Sequence, residues 1–349
     1  MDALTTIPVV GVVFQLIGYL VETVPVIAPV FVGLAAPIAL GALCGIMNER
    51  SGIVNIGIEG MMLSSAFTGF LAAGLVAQAF GGGTPSPVFG ATVPILLGVV
   101  VAVLTGMAVS ALHAWLSISI RADQIISGTI INILAFGLTG YLNRLIITPN
   151  PRLGAGIFQP FHPPDALVNL PVVGWLFSAF LAHGPIAISV LFLAIFLQVM
   201  LFRSRWGLRT RAIGEHPKAA ETVGIDVIAI RYRALLLAGL ISGLAGSYLS
   251  LSTAGSFQME MTAGKGYIAL AAMIFGAWHP VGALGAALVF GFADTTQSLL
   301  SILGSSGSTV QVPPQLLNSV PYIVTIIVVA GVVGRVRGPA SAGQPYEQG

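Results

Sequence analysis

Apolar runs recur from residue 24 to residue 334 with only brief polar interruptions, and this repetition constrains the fold before any motif does. A bilayer core is about 30 Å thick and offers the backbone no hydrogen-bond partner, so a chain that crosses it must be helical or form a closed barrel. Uninterrupted runs of ~20 apolar residues select helices. The chain therefore reads as all-α, a polytopic transmembrane helix bundle. Composition agrees: 56% of the residues are apolar and 7% are charged, whereas a soluble domain carries about a quarter charged residues.

The clear spans lie at about residues 24–47, 53–75, 88–116, 124–146, 185–202, 233–253, 282–303 and 318–334. Two shorter apolar stretches, 7–22 and 265–278, fall below a full crossing unless the bilayer thins or the helices are broken. The expected total is thus about 8–10 spans. The opening MDALTTIPVV lacks the basic segment of a cleavable signal, so the N-terminus is expected to be retained.

Lys and Arg are held on the cytoplasmic side of short loops, and their distribution orients the bundle. Seven of the fourteen basic residues (Arg203, Arg205, Arg209, Arg211, Lys218, Arg231 and Arg233) fall within 203–233, and Arg335 and Arg337 lie in the tail. Both regions are expected inside. An even number of crossings must then separate them, which requires the short segment 265–278 to cross as well. The longest external loop, about 148–184, is rich in Pro and Gly. Its apolar patch NLPVVGWLFSAFL is suited to an interfacial helix, so the loop is either a docking surface for an external partner or a plain connector.

Several kinds of chemistry are not indicated. Cys44 is the single cysteine, lies in an apolar run and reads as a packing residue. The histidines His113, His162, His183, His216 and His279 show no metal-ligand spacing, so no metal site is expected. A net charge of +2, with the basic residues concentrated in one loop, argues against nucleic acid. No HExxH or GxSxG set is present, so an intramembrane enzyme is not expected.

Polar residues inside spans are functional candidates, because each costs several kcal/mol unless paired or hydrated. Asn55 and Glu59, four apart, are expected on one face of a helix that starts at Ile53. Gly57 and Gly60 beside them would let another backbone approach or let the helix unwind. The pair either lines a path or gate, or Glu59 pairs with a neighbouring span through Arg50 or Arg121. Gln124, Ser127 and Asn132 offer donors and acceptors suited to ribose hydroxyls or a base edge. Phe136 could stack on a base or simply pack, and Asp294 is a further candidate. Gly239 and Gly243 form a GxxxG, repeated by Ser242 and Gly246, and indicate close helix packing.

Within 203–233, Pro217 suits a first helical position and Gly224 the left-handed residue after a helix end, so Lys218–Val223 reads as a short capped helix. Asp226 is placed to cap the next element. Such a helix is either an amphipathic connector or a lever for a cytoplasmic partner.

The segment GLRTRAIGEHPKAAETVGI resembles the cytoplasmic coupling segment of ABC importer permeases of the ribose and branched-chain amino-acid class. ERSGIVNIGIEGMMLSSAF (49–67), RADQIISGTIINILAFGLTGYL (121–142) and GKGYIALAAMIFGAWHPVGALGAALVFGFAD (264–294) narrow the resemblance to the shorter permease subunit of nucleoside, guanosine-type, uptake systems. It covers roughly residues 30–335. The resemblance implies a single transmembrane permease domain over 1–349 in a bacterial plasma (inner) membrane, translocating nucleosides or related small polar solutes inward. The implied partners are a second homologous permease, a cytoplasmic ABC ATPase and an external substrate-binding protein or lipoprotein. It also assigns ATPase coupling to Arg211, Gly214, Glu215, Pro217, Lys218, Ala219, Ala220 and Gly224. The chain has no G-x-x-x-x-G-K-[ST], so no cofactor is expected in it, and ATP and Mg belong to the partner ATPase. Two alternatives stay open: a permease for simple sugars or a riboflavin-like vitamin, and an ion-coupled secondary transporter using Glu59 and Asp294.

Overall fold

The structure, a computed structural model, describes residues 8–83, 85–86, 89–154, 156–168, 170, 173–305, 326 and 337–347, with the backbone alone for 8–26 and 297–305. Among the described residues every regular element is helical: α1 Pro8–Glu49, α2 Ile58–Phe80, α3 Val93–Ala114, α4 Gln124–Leu142, α5 Asp165–Val168, α6 Gly174–Leu181, α7 Pro185–Arg203, α8 Arg205–Glu215, α9 Pro217–Thr222, α10 Val227–Ser247, α11 Lys265–Phe275 and α12 Pro280–Ser305. Among the described residues, six stretches are long and apolar enough to cross a membrane: Ile27–Glu49, Ile58–Phe80, Val93–Ser119, Gln124–Ile147, Pro185–Arg203 and Val227–Ala254. The expected span 318–334 lies outside the described residues apart from Ile326.

Local chemistry accounts for most boundaries. Thr92 accepts from the Ile95 N–H to cap α3, Asp123 accepts from Ile125 and Ile126 to cap α4, and Asp226 accepts from Ala229 to cap α10. Each side chain satisfies N–H groups that a helix start leaves without an internal partner. α3, α4 and α10 each run on into a wider π-helical turn, at Trp115–Ser119, Asn143–Ile147 and Tyr248–Ala254. The last ends at Gly255, whose φ of +63° is readily available to glycine.

Two expectations are corrected. The stretches 7–22 and 24–47 are not separate elements: α1 is continuous for 42 residues, about 63 Å at 1.5 Å per residue, with Pro25, Pro29 and Pro37 carried inside it. Membrane helices tolerate proline where neighbours re-satisfy the freed carbonyls. The second helix does not start at Ile53. Residues 53–57 are non-helical and α2 begins at Ile58, so Asn55 lies before the helix that carries Glu59.

The core sits on α1, α10 and α11, with Ile38, Leu40, Leu43, Ile46, Met47 and Ile241 buried in one cluster. α3 and α10 pack through small residues: a Cβ on Gly239 would lie 2.6 Å from the Gly106 carbonyl oxygen, and one on Gly243 2.5 Å from the Val103 Cα. The GxxxG is therefore a site of backbone contact. The two basic regions assigned to one side of the membrane meet in space. The Ser341 N–H donates to the Gly214 carbonyl at 2.9 Å and the Ala340 N–H to Glu215 Oε2 at 3.2 Å. α11 runs back towards this same end, where the Arg50 Nε–H donates to the Trp278 carbonyl and the Trp278 indole to Glu49.

Candidate functional site

The N-termini of α2 and α11 abut inside the bundle, and Glu59 joins them. It stands in the first turn of α2 and is 1% exposed. One carboxylate oxygen accepts from the Gly264 N–H at 2.8 Å and the other from the Gly266 N–H at 2.6 Å. A single carboxylate thus serves the positive ends of two helices. A Cβ on Gly266 would lie 2.6 Å from the Glu59 Cα, so glycine is what allows the approach. Glu59 pairs with neither Arg50 nor Arg121: Arg50 holds the carbonyls of Ala277 and Trp278, and Arg121 forms a 3.3 Å ion pair with Glu347.

The non-helical segment 53–57 is held by α3 and α4. Gln124 Oε1 accepts from the Val54 N–H at 2.7 Å, and His113 bridges the Val54 carbonyl and the Ser127 hydroxyl at 3.1 and 3.0 Å. Asn132 accepts from the Gly60 N–H at 2.8 Å and donates to the Ile56 carbonyl and the Tyr267 hydroxyl, both at 3.0 Å. Asn55 turns back on its own chain, accepting from the Gly57 N–H at 2.8 Å. Gly57 and Gly60 supply both expected properties: the chain is unwound at the first, and both lie against α4 backbone, Gly57 at Gly128 and Gly60 at Asn132.

The structure therefore brings Asn55, Glu59, Gln124, Ser127 and Asn132 into one buried polar clasp. Backbone groups without helical partners need such acceptors and donors away from water. Sequence reasoning missed His113 and Tyr267. His113 shows no metal-ligand spacing, and a lone polar residue within an apolar helix, fully buried here, is the sign of a buried bridge.

Next to the clasp lies a cleft of about 580 Å³ lined by α1 (Pro29, Gly33, Leu34), His183, Tyr248, Thr253, the 258–263 segment and Lys265. Two of its lining residues, Glu260 and Ala263, have φ of +58° and +47°, backbone states that non-glycine residues hold only when surrounding structure imposes them. Asp294 on α12 is half-buried and stands in the field of Lys265. Phe136 is not in this cleft. It packs beside Phe67, Phe70 and Phe257 and lines a second cavity of about 560 Å³ with Tyr141 and Arg144, to which Met259 and Glu260 also contribute.

At the opposite pole of the chain's polar chemistry, α8 and α9 break at His216, with Pro217 opening α9 and Gly224 at φ +80° beyond its end, as the capping residues imply. The coupling candidates divide by exposure. Glu215, Lys218, Ala219 and Gly224 are exposed and Pro217 is partly so, whereas Gly214 and Ala220 are buried. A Cβ on Gly214 would meet the Arg50 carbonyl, so its glycine answers an internal contact. Arg211 turns inward, donating to the Leu201 carbonyl at 3.0 Å with its guanidinium 4.8 Å from the Phe202 ring.

The fold is that of a multi-pass membrane protein with a cleft beside an unwound segment, and the sequence contains no G-x-x-x-x-G-K-[ST] loop. Residues 29–329 match the family described as branched-chain amino acid transport system / permease component, and the chain belongs to that family. It is 39% identical over 334 residues, 95% of this chain and 99% of the relative, to the guanosine ABC transporter permease protein NupQ of Bacillus subtilis. It is 35% identical over 334 residues, 93% and 98% of the two chains, to the nucleoside ABC transporter permease protein NupC of Lactococcus lactis. A putative glucose ABC transporter permease protein, TsgC13 of Haloferax volcanii, is 32% identical over 319 residues, 86% and 89%. No solved structure matches. The chain is thus the membrane subunit of an ABC transporter and not itself a catalyst.

Proposed function

We propose that this chain is a permease subunit of a bacterial plasma-membrane ABC importer that carries nucleosides inward. The observation that carries this reading is the 39% identity to a guanosine permease across nearly the whole of both chains. The cleft supports it: about 580 Å³ falls in the ~300–1,000 Å³ range of small-molecule sites. Its Met, Leu and Pro walls with a Lys265, Glu260, Gln258 and His183 rim suit a neutral solute with one flat apolar part and one hydroxylated part. Asn55, Glu59, Gln124, Ser127 and Asn132 act on the pathway through the clasp, which holds the 264–266 turn and so the cleft-lining Lys265, and Asp294 acts through Lys265. Phe136 serves the second cavity. The chain works with a second homologous permease, a cytoplasmic ATPase that binds ATP and Mg, and an external binding protein, with α8 and α9 facing the ATPase.

Simple-sugar import is the second reading, favoured by the relative named for glucose. Uptake of labelled guanosine by vesicles holding the assembled system separates them. Uptake is expected to require ATP and to be blocked by excess unlabelled nucleoside but not by glucose. ATP-dependent uptake of labelled glucose with none of labelled guanosine would move the assignment to sugars, and nucleoside uptake on an ion gradient without the ATPase would sink the importer reading.

A further inference from the structure

The C-terminal segment 337–347 is built into the coupling region. Ser341 is buried; its hydroxyl donates to the Gly214 carbonyl at 2.7 Å, with the Ile213 carbonyl at 3.1 Å, and the Gly343 N–H donates to the Gly52 carbonyl at 3.3 Å. Tyr346, 8% exposed, closes an apolar cluster with Ile213, Ala220, Val227 and Ile230, which belong to α8, α9 and α10. Its ring lies 5.5 Å from the guanidinium of Arg231, itself 1% exposed, whose Nε–H donates to the Ser51 carbonyl. The Glu347 carboxylate reaches Arg121 beside the start of α4. The tail therefore joins the coupling helices, the α1–α2 turn and α4.

Between the tail and α9 a groove of about 340 Å³ remains, walled on one side by Glu215, Pro217, Lys218 and Ala219 and on the other by Ala340, Gln344, Pro345 and Glu347. Its charges are mixed, with carboxylates on both walls and one ammonium, which does not suit an anionic lipid surface. The groove is continuous with the exposed face of α9 at Lys218 and Ala219, the face that the importer reading turns towards the ATPase. We propose that the tail and the coupling helix form one composite seat for the ATPase subunit, with the tail as its second wall held by Ser341 and Tyr346. This rests on the ABC-importer reading.

The test places a photo-crosslinking amino acid at Ala219 on one wall or at Gln344 on the other, in the full permease co-expressed with its ATPase and second permease. Crosslinks to the ATPase from both positions are expected. A crosslink from Ala219 without one from Gln344 would overturn the composite seat while leaving the importer reading standing, whereas no ATPase crosslink from either position would remove both. As a second arm, Tyr346→Ala is expected to lower the ATPase co-purified with the permease several-fold, and Tyr346→Phe, which keeps the ring in the cluster, to preserve it. Equal recovery with Tyr346→Ala would also count against the proposal.

Discussion

Replacing Glu59 by Gln should release α11 from α2. The carboxylate accepts two backbone N–H groups, from Gly264 and Gly266; the amide keeps one accepting oxygen, and its NH2 faces the second N–H donor-to-donor. Hydrogen bonds to a charged group contribute about 1.5–3 kcal/mol each, and a carboxylate at a helix N-terminus contributes a further ~0.3–1 kcal/mol. The loss for Glu59→Gln is therefore about 2–4 kcal/mol. At 1.4 kcal/mol per tenfold, this corresponds to a roughly 30- to 700-fold rise in the open population of the clasp. Hydrogen exchange on the purified complex reads it directly as lost protection of the peptide covering Gly264 and Gly266. Glu59→Ala, which leaves both N–H groups unpaired, should lose more, and Glu59→Asp, charged but one methylene short, should fall between Gln and wild type. If Glu59→Ala exchanged at the wild-type rate across 264–266, the account of Glu59 as the joint between the two helix ends would be refuted.

Asn132→Ala removes three hydrogen bonds to Gly60, Ile56 and Tyr267 and should cost about 2–4 kcal/mol, read as a lower Tm and loss of uptake, with Tyr267→Phe much milder. Gly214→Ala puts a methyl group against the Arg50 carbonyl and should destabilise the subunit by about 1–3 kcal/mol as overpacking, seen as reduced yield and Tm instead of a cleanly folded, uncoupled transporter. His279 stacks on Phe202 at 4.4 Å, and burial, with the Arg50 and Arg211 charges, lowers its pKa below the ordinary 6.5. The folded state then binds fewer protons than the unfolded one, so its contribution is present above pH 6.5 and declines as pH falls below it. A His279→Phe variant should show a flatter Tm profile between neutral and mildly acidic pH.

Where a signal is local, the residues state it. Asp226 is an N-cap because its side chain reaches an N–H three residues on, and Pro217 and Gly224 bracket α9 because each has a backbone preference independent of its surroundings. The start of α2 was misplaced because Ile53–Gly57 is as apolar as a helix interior, and what unwinds it is contributed by Gln124, His113 and Asn132 from other helices. Lys218 and Ala219 were expected in the coupling segment and are exposed there, whereas Gly214 shares that segment but faces Arg50, a distinction no spacing within 203–233 carries.

The sequence by itself determined that the chain is a membrane-embedded helix bundle and that a short helix bracketed by Pro217 and Gly224 lies in its most basic loop, because burial in lipid and helix caps act on neighbouring residues. Only the tertiary structure decided that Glu59 joins two helix ends, that the clasp closes on an unwound segment, and that the tail packs against α8 and α9. Those outcomes depend on pairs such as Glu59 with Gly266 and Ser341 with Gly214, 207 and 127 residues apart, whose meeting is set by how whole helices pack and not by any periodicity along the chain.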